Sequence, residues 1–125
     1  MDNKNLKISE SEMEIMKIIW AKTEAVTTND ILNSLPKDNS WKLTTILTFA
    51  SRLVKKGMLN IEKIGKTNYY TAAMLEQEYK EVQSKSFLEE MHSGSIKNFI
   101  ATLYNGKSLN KKELEELKEW FLEEK

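Results

Sequence analysis

From Trp41 to Gly57 the chain reads Trp-Lys-Leu-Thr-Thr-Ile-Leu-Thr-Phe-Ala-Ser-Arg-Leu-Val-Lys-Lys-Gly. Plotted at about 100° per residue, Leu43, Ile46, Phe49, Ala50, Leu53 and Val54 fall on one broad side. Thr44, Thr48, Ser51, Arg52 and Lys55 fall on the other, where no carboxylate occurs. A solvated helix face in a chain this rich in Glu mixes both signs. Hydroxyls and cations without acids suit a surface that presses against phosphates and base edges. Thr48 and Arg52 are therefore the first candidates for contacts to duplex DNA, with Thr44, Thr45 and Ser51 beside them. The hydroxyls have a local alternative, bonding back to helix carbonyls. Lys55 and Lys56 suit phosphates, or else the carbonyls and dipole at the helix C-terminus. Trp41 either packs on the sugar-phosphate edge or staples the preceding turn to the core.

Other chemistry finds little support. With no cysteine, disulfides, thiol catalysis and thiolate metal sites are excluded. The one histidine, His92, stands beside a Ser-Gly pair with no evident partner, so neither a metal site nor a nucleophile–base pair is expected. The Glu89-Glu90, Glu115-Glu116 and Glu123-Glu124 pairs share helical segments with Lys and read as solvated faces. No glycine-rich phosphate loop is present. The expectation is a protein that is not an enzyme and carries no cofactor.

The net charge is zero, but it is unevenly spread. Met1 to Ala73 holds 11 Lys/Arg against 8 Asp/Glu, and Met74 to Lys125 holds 8 against 11. Within Lys37 to Lys66 the count is 7 against 2. A basic segment followed by an acidic one predicts a DNA-facing part and a part with another task. No apolar run approaches the roughly 18 residues of a membrane span, and Met1-Asp2-Asn3-Lys4-Asn5 opens no signal-peptide core. A soluble, cytoplasmic protein is the expectation.

The elements that must hold the candidate face follow from local signals. Ser9-Glu10-Ser11-Glu12 is a capping box, opening a helix over about 10 to 22. Thr27-Thr28-Asn29-Asp30 opens a second, short helix, stopped near Pro36. Ser40 is the expected cap of the third, which ends at Gly57. Two β-rich runs, 58–64 and 67–71, flank Gly65-Lys66 and read as a hairpin. That order predicts a winged helix-turn-helix whose third helix is the recognition helix. Lys63 and Lys66 are candidate phosphate contacts on the wing, with Asn68 near its tip. The fold class is thus mainly α with a small β-hairpin: a winged-helix domain over 1–73, then a helical domain over 74–125.

The second part is read as three amphipathic helices. Leu75, Tyr79 and Val82 share one face, and Phe87 follows. Ile96, Phe99, Ile100 and Leu103 form the next face, and Leu114, Leu117 and Phe121 the last, behind a capping box at Asn110 and Glu113. Helices this short cannot bury their faces alone. Since the first domain closes its own core, these residues are assigned to dimerisation.

The whole pattern resembles the penicillinase-repressor family, the BlaI/MecI type of bacterial transcriptional repressor. The resemblance is carried by the N-terminal Met-Asp-Asn-Lys, Ile8-Ser9 with Glu12, Glu14 and Met16, and Ile18-Ile19-Trp20. It continues through Trp41, Thr45-Ile46, Thr48, Arg52-Leu53 and Lys55-Lys56-Gly57, then Tyr69-Tyr70. Ser84-Lys85 with Phe87, Asn98-Phe99, and Leu109 with Glu113 and Glu115-Glu116-Leu117 complete it. It implies a homodimer on palindromic operator DNA. In antibiotic-sensing members a membrane sensor metalloprotease inactivates the repressor at an Asn-Phe bond, which implies Asn98-Phe99 here. Three departures stand out. Thr44 replaces a frequent Lys, Leu47 replaces a frequent Arg or Gln, and the cysteine metal site of the copper-responsive branch is absent. Two rival readings stay open: a winged-helix regulator induced by a small molecule, and a winged-helix protein-interaction module that does not bind DNA.

Overall fold

A computed structural model describes residues 7–123; the N-terminal Met-Asp-Asn-Lys of the resemblance lies outside them. The order is α1 (Glu10–Trp20), β1 (Val26–Thr27), α2 (Thr28–Ser34), α3 (Leu43–Lys55), β2 (Leu59–Ile64), β3 (Thr67–Ala72), α4 (Glu76–His92), α5 (Ile96–Asn105) and α6 (Lys111–Glu123). Mainly helical, with a small antiparallel sheet in strand order β1-β3-β2, it has the expected winged-helix arrangement. None of the described helices is long and apolar enough to cross a membrane.

The helix boundaries follow from side-chain chemistry. Ser9 accepts from Glu12 N while Glu12 accepts from Ser9 N, and Thr27 and Asp30 repeat the exchange at α2. These bonds hold the Asp30 carboxyl below its ordinary pKa, the Thr27 backbone N–H contributing most and its hydroxyl next. Asn110 and Glu113 do the same at α6. Gly57, at φ +80°, closes α3: its N–H donates to Val54 O and Met58 N–H to Leu53 O. That pair of bonds is a Schellman motif, and it needs a left-handed residue at Gly57. At the wing tip Gly65 takes φ +64° at the first turn position, as a type II′ turn demands.

Contacts divide the chain into two compact units, Met1–Gln83 and Ser84–Lys125. The first is built around a core of Ile15, Met16 and Ile19 from α1, Ile31 from α2, Ile46, Ala50 and Leu53 from α3, and Met58, Leu59 and Tyr70 from the sheet region. This unit extends into α4. Tyr79 is buried there, its ring 5.9 Å from Trp20 and its hydroxyl accepting from Ile8 N–H at 3.2 Å. Trp20 Nε1 donates to Met74 O at 2.9 Å. Tyr79, assigned above to dimerisation, is instead a core residue of the first unit. Its hydroxyl needs a buried partner, and Ile8 supplies one.

The second unit is different. Among the described residues from 84 to 123 none is buried. Within it, Phe87, His92 and Phe99 form a ring cluster with centroids 5.2–5.8 Å apart. Ser95 caps α5 by accepting from Asn98 N, and Gly94 at φ +77° ends α4.

Candidate nucleic-acid interface

The face predicted on α3 is present, except that Leu43, expected on the apolar side, is 39% exposed at the first turn. Ile46, Ala50 and Leu53 point into the core, and Phe49 and Val54 are half-buried. Thr44, Leu47, Thr48, Ser51, Arg52 and Lys55 are exposed, and Thr45 is intermediate. Helical sterics leave these exposed residues on one strip, three and four apart. No Asp or Glu lies between Ser40 and Ile61, so the strip is free of negative charge along its whole length.

The start of α3 departs from expectation. The N-cap is Lys42, not Ser40, and no side chain caps it. The other helices each open with a side-chain bond at their start: Ser9, Thr27, Ser95 and Asn110 accept from first-turn N–H groups, and at α4 Glu78 accepts from the N–H of Leu75, just before the helix. A missing cap costs roughly 1 kcal/mol, and a lysine at the positive end of a helix dipole is unfavourable as well. Both features are unfavourable for an isolated domain and favourable beside a polyanion. Lys42, exposed at this end, joins the candidate contacts. The sequence reading missed it because cations are expected at the other end of a helix.

Arg52 is oriented by an aromatic ledge. Trp41 packs on Phe49 with ring centroids 5.0 Å apart, and the Arg52 guanidinium stands 5.8 Å from the Phe49 centroid. Trp41 is half-buried against the core, and its backbone N–H donates to Asn39 Oδ1 at 2.7 Å. Its stapling role is thus visible, and through Phe49 it also positions Arg52. Thr48 Oγ1 donates to Thr44 O at 3.0 Å, the back-bonding alternative. The hydroxyl proton is committed, leaving Thr48 a methyl group and a lone pair to present.

Lys56 does not face outward with Lys55. Its Nζ meets Glu12 Oε1 at 2.6 Å and Lys7 O at 3.3 Å. Glu12 is only 1% exposed. Burial would raise its pKa, but the Lys56 hydrogen bond and charge and the Ser9 bonds outweigh it, leaving the carboxyl below its ordinary value. Lys56, expected on phosphates, is a tie between the first turn of α1 and the end of α3. A buried carboxylate recruits the nearest cation, and with the two residues 44 apart no local pattern announces the pair.

On the wing, Lys63 pairs with Asn68 in register and Ile64 with Thr67. Lys63, Ile64 and Lys66 are exposed, and of β2 only Leu59 is buried. Strand β2 therefore leaves the core after its first residue, and the hairpin carries two cations at its end. The dimerisation candidates fall in both units. Leu75 is exposed and Val82 half-buried in the first. In the second, Phe87, Ile96 and Phe121 are exposed, while Phe99, Ile100, Leu103, Leu114 and Leu117 are intermediate. Asn98 is exposed in the first turn of α5, its Oδ1 2.6 Å from His92 Nδ1.

No group of three or more His, Asp or Glu among the described residues could hold a metal ion. Comparison with known proteins points the same way as the α3 face. The family model described as penicillinase repressor matches residues 8–123. The penicillinase repressor of Bacillus licheniformis is 37% identical over 111 residues, covering 89% of this chain and 86% of that protein. The methicillin resistance regulatory protein MecI of Staphylococcus aureus is 33% identical over 118 residues, covering 94% and 95%. The solution structure of the DNA-binding domain of the repressor BlaI matches with TM-score 0.51 and 40% identity, over 58% of this chain and 88% of that one. This chain belongs to the penicillinase-repressor (BlaI/MecI) family of winged-helix repressors.

Proposed function

We propose that this protein is a homodimeric transcriptional repressor that occupies a palindromic operator; its relatives are named as a penicillinase repressor and a methicillin resistance regulatory protein. The observation that carries the reading is the exposed, carboxylate-free strip of α3, uncapped at its N-terminus and flanked by a wing bearing Lys63 and Lys66. A helix so built suits a major groove, its N-terminal half at base edges and Lys55 and the wing on phosphates. Two copies then sit about 34–36 Å apart on successive grooves, and an occupied promoter is closed to transcription.

Dimerisation is supported by what the second unit lacks. None of its described residues is fully buried, and α5 and α6 line an apolar groove with Ile100, Leu114, Leu117, Phe121 and Leu122. Exposed apolar surface of this continuity calls for a partner, and a second copy supplies the matching helices. With net charge zero, non-specific attraction to DNA is weak, so two linked half-site contacts are needed for useful affinity.

A sensor metalloprotease that cuts at Asn98-Phe99 is the proposed route to induction. Asn98 is exposed, but its side chain is held by His92 and the Phe99 ring by Phe87 and His92. The bond lies inside a helical turn, so cutting requires that turn to open first.

Titrating labelled duplex DNA with the full chain at several salt concentrations tests the reading. Binding should weaken steeply with salt, the slope reporting the number of phosphates met. Absence of duplex binding at low salt would remove the repressor assignment and favour a protein-interaction module.

A further inference from the structure

The outward strip of α3 is more apolar than its hydroxyl content implies. Leu43 and Leu47 are 39% and 40% exposed, one helical turn apart in the N-terminal half of the helix, where recognition helices reach base edges. Thr48 has given its hydroxyl proton to Thr44 O, so its free donor capacity is gone and its methyl remains. Leu47 therefore stands among Leu43, Thr44, Thr48 and Ser51, where only the short hydroxyls of Thr44 and Ser51 are free to donate and no amide or cation is present. The cations come later, at Arg52 and Lys55.

We propose that Leu47 is a specificity-determining residue that recognises the C5-methyl group of a thymine in each half-operator. The inference rests on the DNA-binding reading given above. Charge complementarity selects the occupant: a strip without carboxylates, bounded by Lys42 at one end and Arg52 and Lys55 at the other, suits a duplex. On the major-groove floor the only apolar feature of an unmodified base pair is the thymine methyl. An isobutyl side chain has no donor or acceptor and discriminates only by that contact. A guanine or cytosine opposite Leu47 would lose hydrogen bonds to water and gain none from the protein.

The experiment uses full-length protein and a duplex selected by it. Each thymine of one half-site is replaced in turn by deoxyuridine, which removes the methyl and nothing else. At one position affinity should fall about fourfold, the size expected for withdrawing one methyl from an apolar contact. Leu47→Ala should bind the thymine duplex more weakly and show no further loss with deoxyuridine at that position. Leu47→Gln, with an amide able to pair with adenine N6 and N7 instead, should lose the uracil penalty at that position. Leu47 is exposed, so these variants keep the core. If no thymine shows a uracil penalty that depends on Leu47, or if Leu47→Ala weakens all sequences alike, the side chain lies on sugar and the proposal is wrong. Failure to select any sequence would instead refute the DNA-binding reading itself.

Discussion

The two units of this chain solve opposite problems with similar helices. In Met1–Gln83 the apolar faces of α1, α2 and α3 meet one another and the sheet, and Ile15, Met16, Ile46 and Leu53 lose all contact with solvent. In Ser84–Lys125 the helices leave Phe87, Ile96, Trp120 and Phe121 about half exposed. The first unit closes its own core, and its exposed specialisation is a strip without carboxylates. The second unit has an apolar surface with no interior. The difference teaches where stability and function separate. On the function proposed, the strip can change the bases it reads without disturbing the core, while the C-terminal faces become a core by pairing with a second copy.

The comparison breaks most visibly in the C-terminal groove. Phe121→Asp places a charge on the apolar surface of α6. Sedimentation should show a monomer, and operator affinity should fall by about a hundredfold or more as linked binding is lost. A dimer of unchanged mass would show that the faces meet something else. In the first unit, Leu53→Ala should cost about 2–5 kcal/mol in denaturant unfolding, because the cavity opens in a closed core. The same truncation at Leu117 should act mainly on the dimer, lowering stability by an amount that a higher protein concentration restores.

The polar strip comes next in size. Arg52→Ala should weaken operator binding by about 1–3 kcal/mol at matched salt while leaving unfolding unchanged. Unaltered affinity would remove Arg52 from the interface. The smallest effect concerns the Glu12–Lys56 tie. Its carboxyl pKa is lowered in the fold, so its contribution is complete above the ordinary glutamate value of about 4.3. It is lost as pH falls through the lower folded value. Unfolding of the full chain followed through acid pH should show that loss, and Glu12→Gln should flatten it. Since Lys56 is one-third exposed, the difference at neutral pH should be only about 1 kcal/mol.

Much of the fold was legible because its signals are local. Ser9 with Glu12, Thr27 with Asp30 and Asn110 with Glu113 each declare a helix start within four residues, and Gly57 and Gly65 declare a stop and a turn. The α3 strip was legible for the same reason, since helical spacing alone sorts Thr44, Thr48, Ser51, Arg52 and Lys55 to one side. Long-range pairings were not. Lys56 sits beside Lys55 in sequence, and only the buried Glu12 pulls it away. Tyr79 has the same spacing from Leu75 and Val82 that a dimer face would have, but Ile8 and Trp20 claim it. Lys42 was overlooked because the rule for helix ends argues against it, and rules of this kind give way at interfaces.

The central claim is that α3 reads DNA while the C-terminal helices join two copies. Selection from a random duplex library with full-length protein, followed by sequencing, tests both halves together. The account predicts an enriched palindrome whose half-sites lie about one helical turn, 10–10.5 base pairs, apart or a multiple of it. No enrichment at low salt would contradict it, and enrichment of a single unpaired half-site would contradict the role given to the C-terminal helices.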